Sequence, residues 1–459
     1  MSYIGSTPTT QSFIAGTDYF NGDGSTTAFT LSRSVVSTND IQATVNNVVQ
    51  QPNTAYTVSG TTITFTSAPS AGTANIYVRY LSTTTQSITP SQGTVGNGQF
   101  ANNISAIPMT YGTIGAGDAS IMKNRIINGA MVINQRGASV TADSQFPVDR
   151  FQSGKGGSAT VTWSQASTAP AGFNNSLLFT VGSTDTTPNN YFSRQIIEGY
   201  NIADLGWGTS AAKTITVSFW VNSSVTGTFG VYVTNTSRSY ATSYTVSSAN
   251  TWQQVSVTIP GDTSGTWNTN NTYGIILGFG YSVATGSATT PNQWNATDTK
   301  GPTGTTNLLA TNGATFYITG VQLEVGSSAT GFEYRMYTTE LQLCQRYCFL
   351  LTSVGGSGSY IRWATGENSG TTGNNTPIMF PTTMRTSATL TTTGTASNYS
   401  LSSNGSGIAV TAISTQSNAC TNQTHAISVS VASGLVSGGC STLVSNNNNT
   451  AYLLFTAEL

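Results

Sequence analysis

At 459 residues the chain has room for about three domains, each large enough to bury a core. Charged residues are only 7% of it, against ~25% in ordinary globular proteins, and a net charge of −1 leaves no electrostatic footprint for nucleic acid. With 37% hydrophobic and 10% aromatic residues, and Thr, Val, Ile, Tyr and Phe prominent, the composition excludes charge-driven disorder and is that of pleated sheets. No apolar run reaches the ~18 residues of a membrane span, and the first residues lack the basic start and apolar core of a secretory signal, so neither membrane insertion nor secretion is expected.

Residues 1–17 are polar and aperiodic, and read as an extended arm. Residues 18–81 read as a β-sandwich: Ile41, Ala43 and Val45 alternate up to Asn46-Asn47, Val48 resumes, and this predicts a hairpin. Ile63 and Phe65, then Ile76, Val78 and Tyr80, supply further strands. Asp18, Asn21 and Asp23 around Gly22 and Gly24 hint at calcium, but the spacing misses the helix–loop–helix pattern and a polar turn is the simpler reading. Residues 82–128, rich in Gly and Pro, read as a linker in which Asp118 could cap a short helix through Asn128.

Residues 129–335 carry many strand patterns split by Gly/Ser/Asn loops and predict a jelly roll. In one of these, Ile215, Val217, Phe219 and Val221 share a face, leaving Trp220 with Thr216, Ser218 and Asn222 on the other. An indole among small polar groups suits a sugar platform; edge burial against a loop or a neighbouring subunit is the more ordinary reading. Trp252 and Trp267, at the ends of a strand, are expected to cap the core.

Residues 336–352 predict a helical connector. Tyr337, Leu341, Cys344, Cys348 and Leu351 recur at spacings of four, three, four and three, the seam of a helix packing along one stripe. Residues 353–459 read as a second β-sandwich, in which Ile427, Val429 and Val431 alternate with Ser428 and Ser430.

Catalytic patterns are scarce. The sole histidine, His425, has no Gly-x-Ser-x-Gly elbow near it and forms no ligand cluster with the four cysteines at 344, 348, 420 and 440, so no metal, cofactor or nucleophilic site is expected. The cysteines read as buried free thiols. Glu198, Asp204, Asp262 and Asp298 lie in the jelly-roll region without an aromatic and acidic cluster around them; spacing alone leaves an endoglycosidase pair open.

Two stretches carry a family resemblance. One is Lys123-Asn-Arg-Ile-Ile-Asn-Gly-Ala-Met-Val-Ile-Asn-Gln-Arg-Gly137 with Val148-Asp-Arg-Phe-Gln152. The other is Ile318-Thr-Gly-Val-Gln-Leu-Glu-Val-Gly326 with Phe332-Glu-Tyr-Arg335 and Glu340-Leu-Gln-Leu-Cys-Gln-Arg-Tyr347. Together they resemble the start and end of a carbohydrate-binding-module-like jelly roll of bacteriophage fibres. Residues 18–81 and the ending Phe455-Thr-Ala-Glu-Leu459 are similar to parts of such fibres, notably from phages of aquatic bacteria. The implied fold is an all-β, multidomain β-sandwich and jelly-roll fibre with one short helix near residues 337–351.

The resemblance implies a structural virion protein: a homotrimeric tail fibre held to other virion proteins by its N-terminal arm and domain. It would be assembled in the host cytoplasm, exposed on the particle, and would meet a host-surface glycan with its distal β-domains, without enzymatic activity. A head or collar decoration fibre is the alternative, and a polysaccharide depolymerase a third reading. Trp220, Tyr360, Arg362 and Trp363 are the candidate sugar contacts, against core or interface packing. Tyr337, Leu341, Cys344, Cys348 and Leu351 would form the trimer seam.

Overall fold

The computed structural model describes residues 16–81, 122–354 and 360–459. The N-terminal arm through residue 15 and most of the linker, Asp118 included, lie outside the described residues. The chain divides into two compact units, and residues 16–81 belong to the first.

That unit contains β1 (Thr17–Gly22), β2 (Ala28–Val35), β3 (Ile41–Val45), β4 (Val48–Val49), β5 (Tyr56–Phe65) and β6 (Gly72–Tyr80). Four strands pair in the order β1-β6-β3-β4, and β2 pairs with β5. Leu31, Ile41, Ala43, Tyr56, Ile63, Ile76 and Val78 fill the core. Between β3 and β4, Asn46 and Asn47 have φ of 48° and 65°, the left-handed pair that a two-residue hairpin turn requires. Asp23 accepts from the Ser25 and Thr26 amides at 2.8 and 2.6 Å, closing a polar turn. Asp18 accepts from the Ser32 amide at 2.7 Å and the Tyr80 hydroxyl at 2.5 Å.

The second unit begins with a two-sheet sandwich. Its strands are β7 (Phe151–Lys155), β8 (Val161–Ala166), β9 (Ser176–Val181), β10 (Tyr191–Glu198), β11 (Ile215–Ser223), β12 (Gly227–Thr234), β13 (Ser239–Val246), β14 (Gln253–Ile259), β15 (Tyr273–Ser282), β16 (Ala288–Thr289), β17 (Trp294–Asn295), β18 (Gly301–Pro302) and β19 (Thr315–Val325). One sheet runs β17-β13-β12-β15-β10-β7 and the other β14-β11-β19-β9-β8. Rings from the two sheets meet in the core: Phe179 stacks on Tyr281 at 4.2 Å, and Phe219 lies edge-on to Phe279 at 4.9 Å. Ile215, Val217, Phe219 and Val221 all point into it, as their alternation predicts. Their outward neighbours Thr216 and Ser218 are buried too, because the chain after β19 folds back over that face, where the Thr216 hydroxyl donates to the Gly326 carbonyl at 2.8 Å. Trp267 caps the core in a cluster with Trp207 and Trp294, with ring centroids 4.7 and 5.7 Å away.

The helix expected to run through Asn128 does not form over residues 122–128. Asparagine side chains hold this segment instead: Asn124 accepts from the Ile126 amide at 2.9 Å and Asn128 donates to the Ile133 carbonyl at 2.8 Å, local bonds that compete with a helix, while Asn124 also donates to the distant Val321 carbonyl at 3.1 Å.

A second correction concerns the connector. Helix α1 spans Tyr337–Gln345 and is followed at once by β20 (Cys348–Thr352). Tyr337, Leu341 and Cys344 are therefore helical, but Cys348 and Leu351 belong to a strand, and the predicted seam is not one helical stripe. Cys344 and Cys348 are wholly buried inside their own chain, Cys344 among Ile127, Ile133 and Tyr347, whereas Tyr337 is exposed. A run such as Cys-Phe-Leu-Leu-Thr suits either helix or strand, and the available antiparallel partner decided between them.

That partner is β28 (Tyr452–Thr456), which follows β21 (Arg362–Asn368), β22 (Gly373–Met379), β23 (Thr389–Thr392), β24 (Tyr399–Ser403), β25 (Ser406–Thr415), β26 (Thr424–Val431) and β27 (Cys440–Ser445). Rather than the expected sandwich, six of these close into a barrel, β21-β22-β26-β25-β24-β27, with a sheet β20-β28-β23 sharing its core. Register shifts between Arg362 and Ala364 and between Val410 and Ala412 bend the strands, and closure leaves the barrel no open edge. Ile427, Val429 and Val431 point inward, and His425, two residues earlier, continues the same face. The residues after 353 do not form a unit of their own: they share one with the sandwich.

Candidate functional site

Side chains from across the second unit converge where barrel meets sandwich. Buried Glu198, at the end of β10, receives Arg346 through both carboxylate oxygens at 2.6 and 2.8 Å and the Tyr347 hydroxyl at 2.7 Å. Burial pushes the Glu198 carboxyl up, but the Arg346 and Tyr347 hydrogen bonds outweigh it and hold the group below the usual carboxylate range. Burial carries the Tyr347 phenol up to about 12, so it stays a donor. Arg150 lies 3.5 Å above the Tyr347 ring and pairs with Glu458, which Arg136 also reaches at 3.0 Å. Arg385 donates to the Asn271, Ala457 and Glu458 carbonyls at 3.0, 2.8 and 2.7 Å. The Cys-Gln-Arg-Tyr block thus joins two folds. Burial raises the Cys344 and Cys348 thiols well above their ordinary range, far from the thiolate a nucleophile needs.

The carboxylates considered for glycoside hydrolysis are similarly engaged. Besides Glu198, Asp204 pairs with Arg125, Asp262 with Arg238 and Asp298 with Lys300, each at 2.7 Å.

The four candidate sugar contacts fall in three settings. Tyr360 and Arg362 are exposed at the start of the barrel. Trp363 is half-buried, with its ring 5.6 Å from that of Tyr399, and belongs to the barrel core. Trp220 is half-buried over Gly320, where β11 and β19 shift register. A Cβ at Gly320 would lie 2.7 Å from the Phe173 ring and 3.0 Å from the Trp220 ring, and its φ of +62° also favours glycine.

Phe173 leads to a site that sequence reasoning missed. Phe173, Phe332, Tyr334 and Tyr337, with Ala130, Val132 and Asn174, line a cavity of about 230 Å³. Phe332 and Tyr334 meet edge to face at 4.9 Å, and Phe173 lies 5.1 and 5.5 Å from them. The Tyr334 hydroxyl donates to the Gly172 carbonyl. Phe332 and Tyr334, two apart, could have been flagged as one face of an extended segment; Phe173 is distant in the chain and only the fold delivers it.

Residues 12–105 match the family described as phage T7 tail fibre protein, N-terminal domain. No curated protein matches the chain. Among solved structures, tailspike protein 4 of bacteriophage CBA120 (enzymatically active domain) is similar over 44% of this chain and 22% of its own, at 12% identity and a TM-score of 0.27. An arabinose-bound α-L-arabinofuranosidase is similar over 42% of this chain and 26% of its own, at 10% identity and a TM-score of 0.25. The family 11 carbohydrate-binding module of a Clostridium thermocellum cellulase covers 42% of this chain and 97% of its own length, at 14% identity and a TM-score of 0.23. Similarities this weak carry no argument about activity or ligand. What the comparisons show is therefore a phage tail-fibre N-terminal domain at residues 12–105, at the head of a chain whose described residues form mainly antiparallel sheets.

Proposed function

We propose that the fibre is held to the tail by its N-terminal region and meets a glycan of the host envelope with its C-terminal unit, as a homotrimer and without cutting the glycan. The observation that carries this reading is the tail-fibre domain at residues 12–105, which gives the chain a virion end and leaves the β-folds beyond it for the host. Exposed Tyr360 and Arg362 are groups of the kind that contact sugars, and three copies would raise weak contacts to useful avidity. The ion-paired states of Glu198, Asp204, Asp262 and Asp298 support a passive role, since hydrolysis requires one carboxyl to protonate a leaving group and another to act on the opposite face.

The test is competition. Purified full-length protein should block adsorption of the phage to its host and release no reducing ends from the host's envelope polysaccharide. Antibody labelling should find it on the tail. Failure to compete, or a label confined to the head, would remove the receptor-binding reading in favour of decoration.

A further inference from the structure

We infer that the cleft formed by Phe173, Phe332, Tyr334 and Tyr337 is a binding site for one neutral pyranose ring. This deepens the glycan-binding reading above and rests on it. Tyr334 carries the argument. Its hydroxyl is anchored to the Gly172 carbonyl and its ring is held by Phe173 and Phe332, yet 61% of the residue stays exposed. A ring so immobilised and still presented to solvent loses little entropy when something stacks on it. Tyr337, also 61% exposed, adds a second ring and hydroxyl on the lining, and Asn174 an amide.

The one cation on the walls is taken up from within. Glu333 accepts from the Asn124 amide at 2.9 Å and lies 3.3 Å from Arg335; Glu340 accepts from the Asn128 amide and lies 3.4 Å from the same guanidinium. The Arg335 side chain is itself buried between the two acids. An anionic ligand would find no cation to spare, and both carboxylates are already engaged by Arg335 and by backbone amides. A pyranose fits this mixture, its C–H face against a ring and its hydroxyls toward the amide and phenol at the rim.

Volume settles the size of the occupant. About 230 Å³ falls below the ~300–1,000 Å³ of pockets for drug-sized ligands, so one ring enters and a longer chain would continue outside. A second protein copy would call for ~800 Å² of surface per partner, whereas these rings line a small concavity.

Saturation-transfer NMR on the full-length protein tests the site, with methyl β-D-glucopyranoside, methyl β-D-galactopyranoside and methyl α-D-mannopyranoside as millimolar probes. Transfer is expected to the ring C–H protons of at least one glycoside, to fall about tenfold in Tyr334→Ala and to persist in Tyr334→Phe, which keeps the ring. Tyr337→Ala, at an exposed position, should weaken transfer while the circular dichroism spectrum and melting point stay unchanged, which guards against a misfolded Tyr334→Ala. No transfer to any of the three probes, or equal transfer in the alanine variants, overturns the assignment, as does a Tyr334→Ala change that alters sedimentation instead. If the wild type shows no transfer but still blocks phage adsorption, the cleft assignment falls and the receptor-binding reading stands.

Discussion

Glu198 is the residue on which the joining of barrel and sandwich turns. Removing Arg346 would leave a buried carboxylate with one phenolic donor, so Arg346→Ala should destabilise the second unit by about 3 kcal/mol, the low end for a broken buried pair because Arg346 itself is partly exposed. Urea unfolding measures it. The lowered carboxyl of Glu198 works in the same direction: its contribution is present above the ordinary carboxylate range and is lost as pH falls through its folded value. His425 acts in the same sense. Burial lowers it from 6.5, its Nε2 lies 3.1 Å from the Thr415 hydroxyl and its ring packs against Phe455 at 5.1 Å, so the neutral imidazole is the folded form. A lowered folded value means that the unfolded chain binds the proton more tightly. Stability from His425 is thus complete above pH 6.5 and drains away as pH falls toward the folded value. The melting temperature should drop over that range in the wild type and drop less in His425→Phe. The thiols give a further check: a disulfide-exchange reagent should label exposed Cys440 first and reach Cys344 and Cys348 only on unfolding.

Among the elements, the β3–β4 hairpin shows how far local chemistry reaches. Asn tolerates the left-handed conformation and a β-branched residue does not, so Asn46→Val or Asn47→Val should each destabilise the first unit by about 1–2 kcal/mol, read by thermal unfolding. Gly320→Ala should be comparably harmful to the second unit, because a Cβ is strained at a φ of +62° and the added methyl would lie 2.7 Å from the Phe173 ring and 3.0 Å from the Trp220 ring. The hairpin was legible in the residues themselves, as was the inward face of β11, since period-two alternation admits one pairing of faces. The end of α1 was not. Spacings of four and three through Leu351 satisfy a helix, and a strand of five apolar and hydroxyl residues satisfies them as well once β28 lies alongside. Closure of the barrel escaped for a related reason: each strand reads the same in a sandwich, and the register shifts that bend it are properties of pairs.

For the whole molecule, scarcity of charge has a measurable consequence. A fibre with 7% charged residues and a net charge of −1 should adsorb to its host with little dependence on salt, unlike an electrostatically steered protein; adsorption rates at low and high ionic strength check this. Sedimentation should give three copies, the proposed homotrimer, and a monomer would remove the avidity argument. Interchain packing, however, cannot use the predicted seam as it stood, since Cys344 and Cys348 face the interior of their own chain.

Composition and alternation by themselves determined that this protein is built of sheets, where its turns lie and which side chains face inward, because those properties depend on neighbours two to four residues apart. Only the tertiary structure decided that the residues after 353 pack with the sandwich, that Cys-Gln-Arg-Tyr grips Glu198 and that Phe173 reaches Phe332 and Tyr334. Each of these joins residues more than a hundred positions apart, whose meeting depends on how folded surfaces fit and leaves no period in the chain.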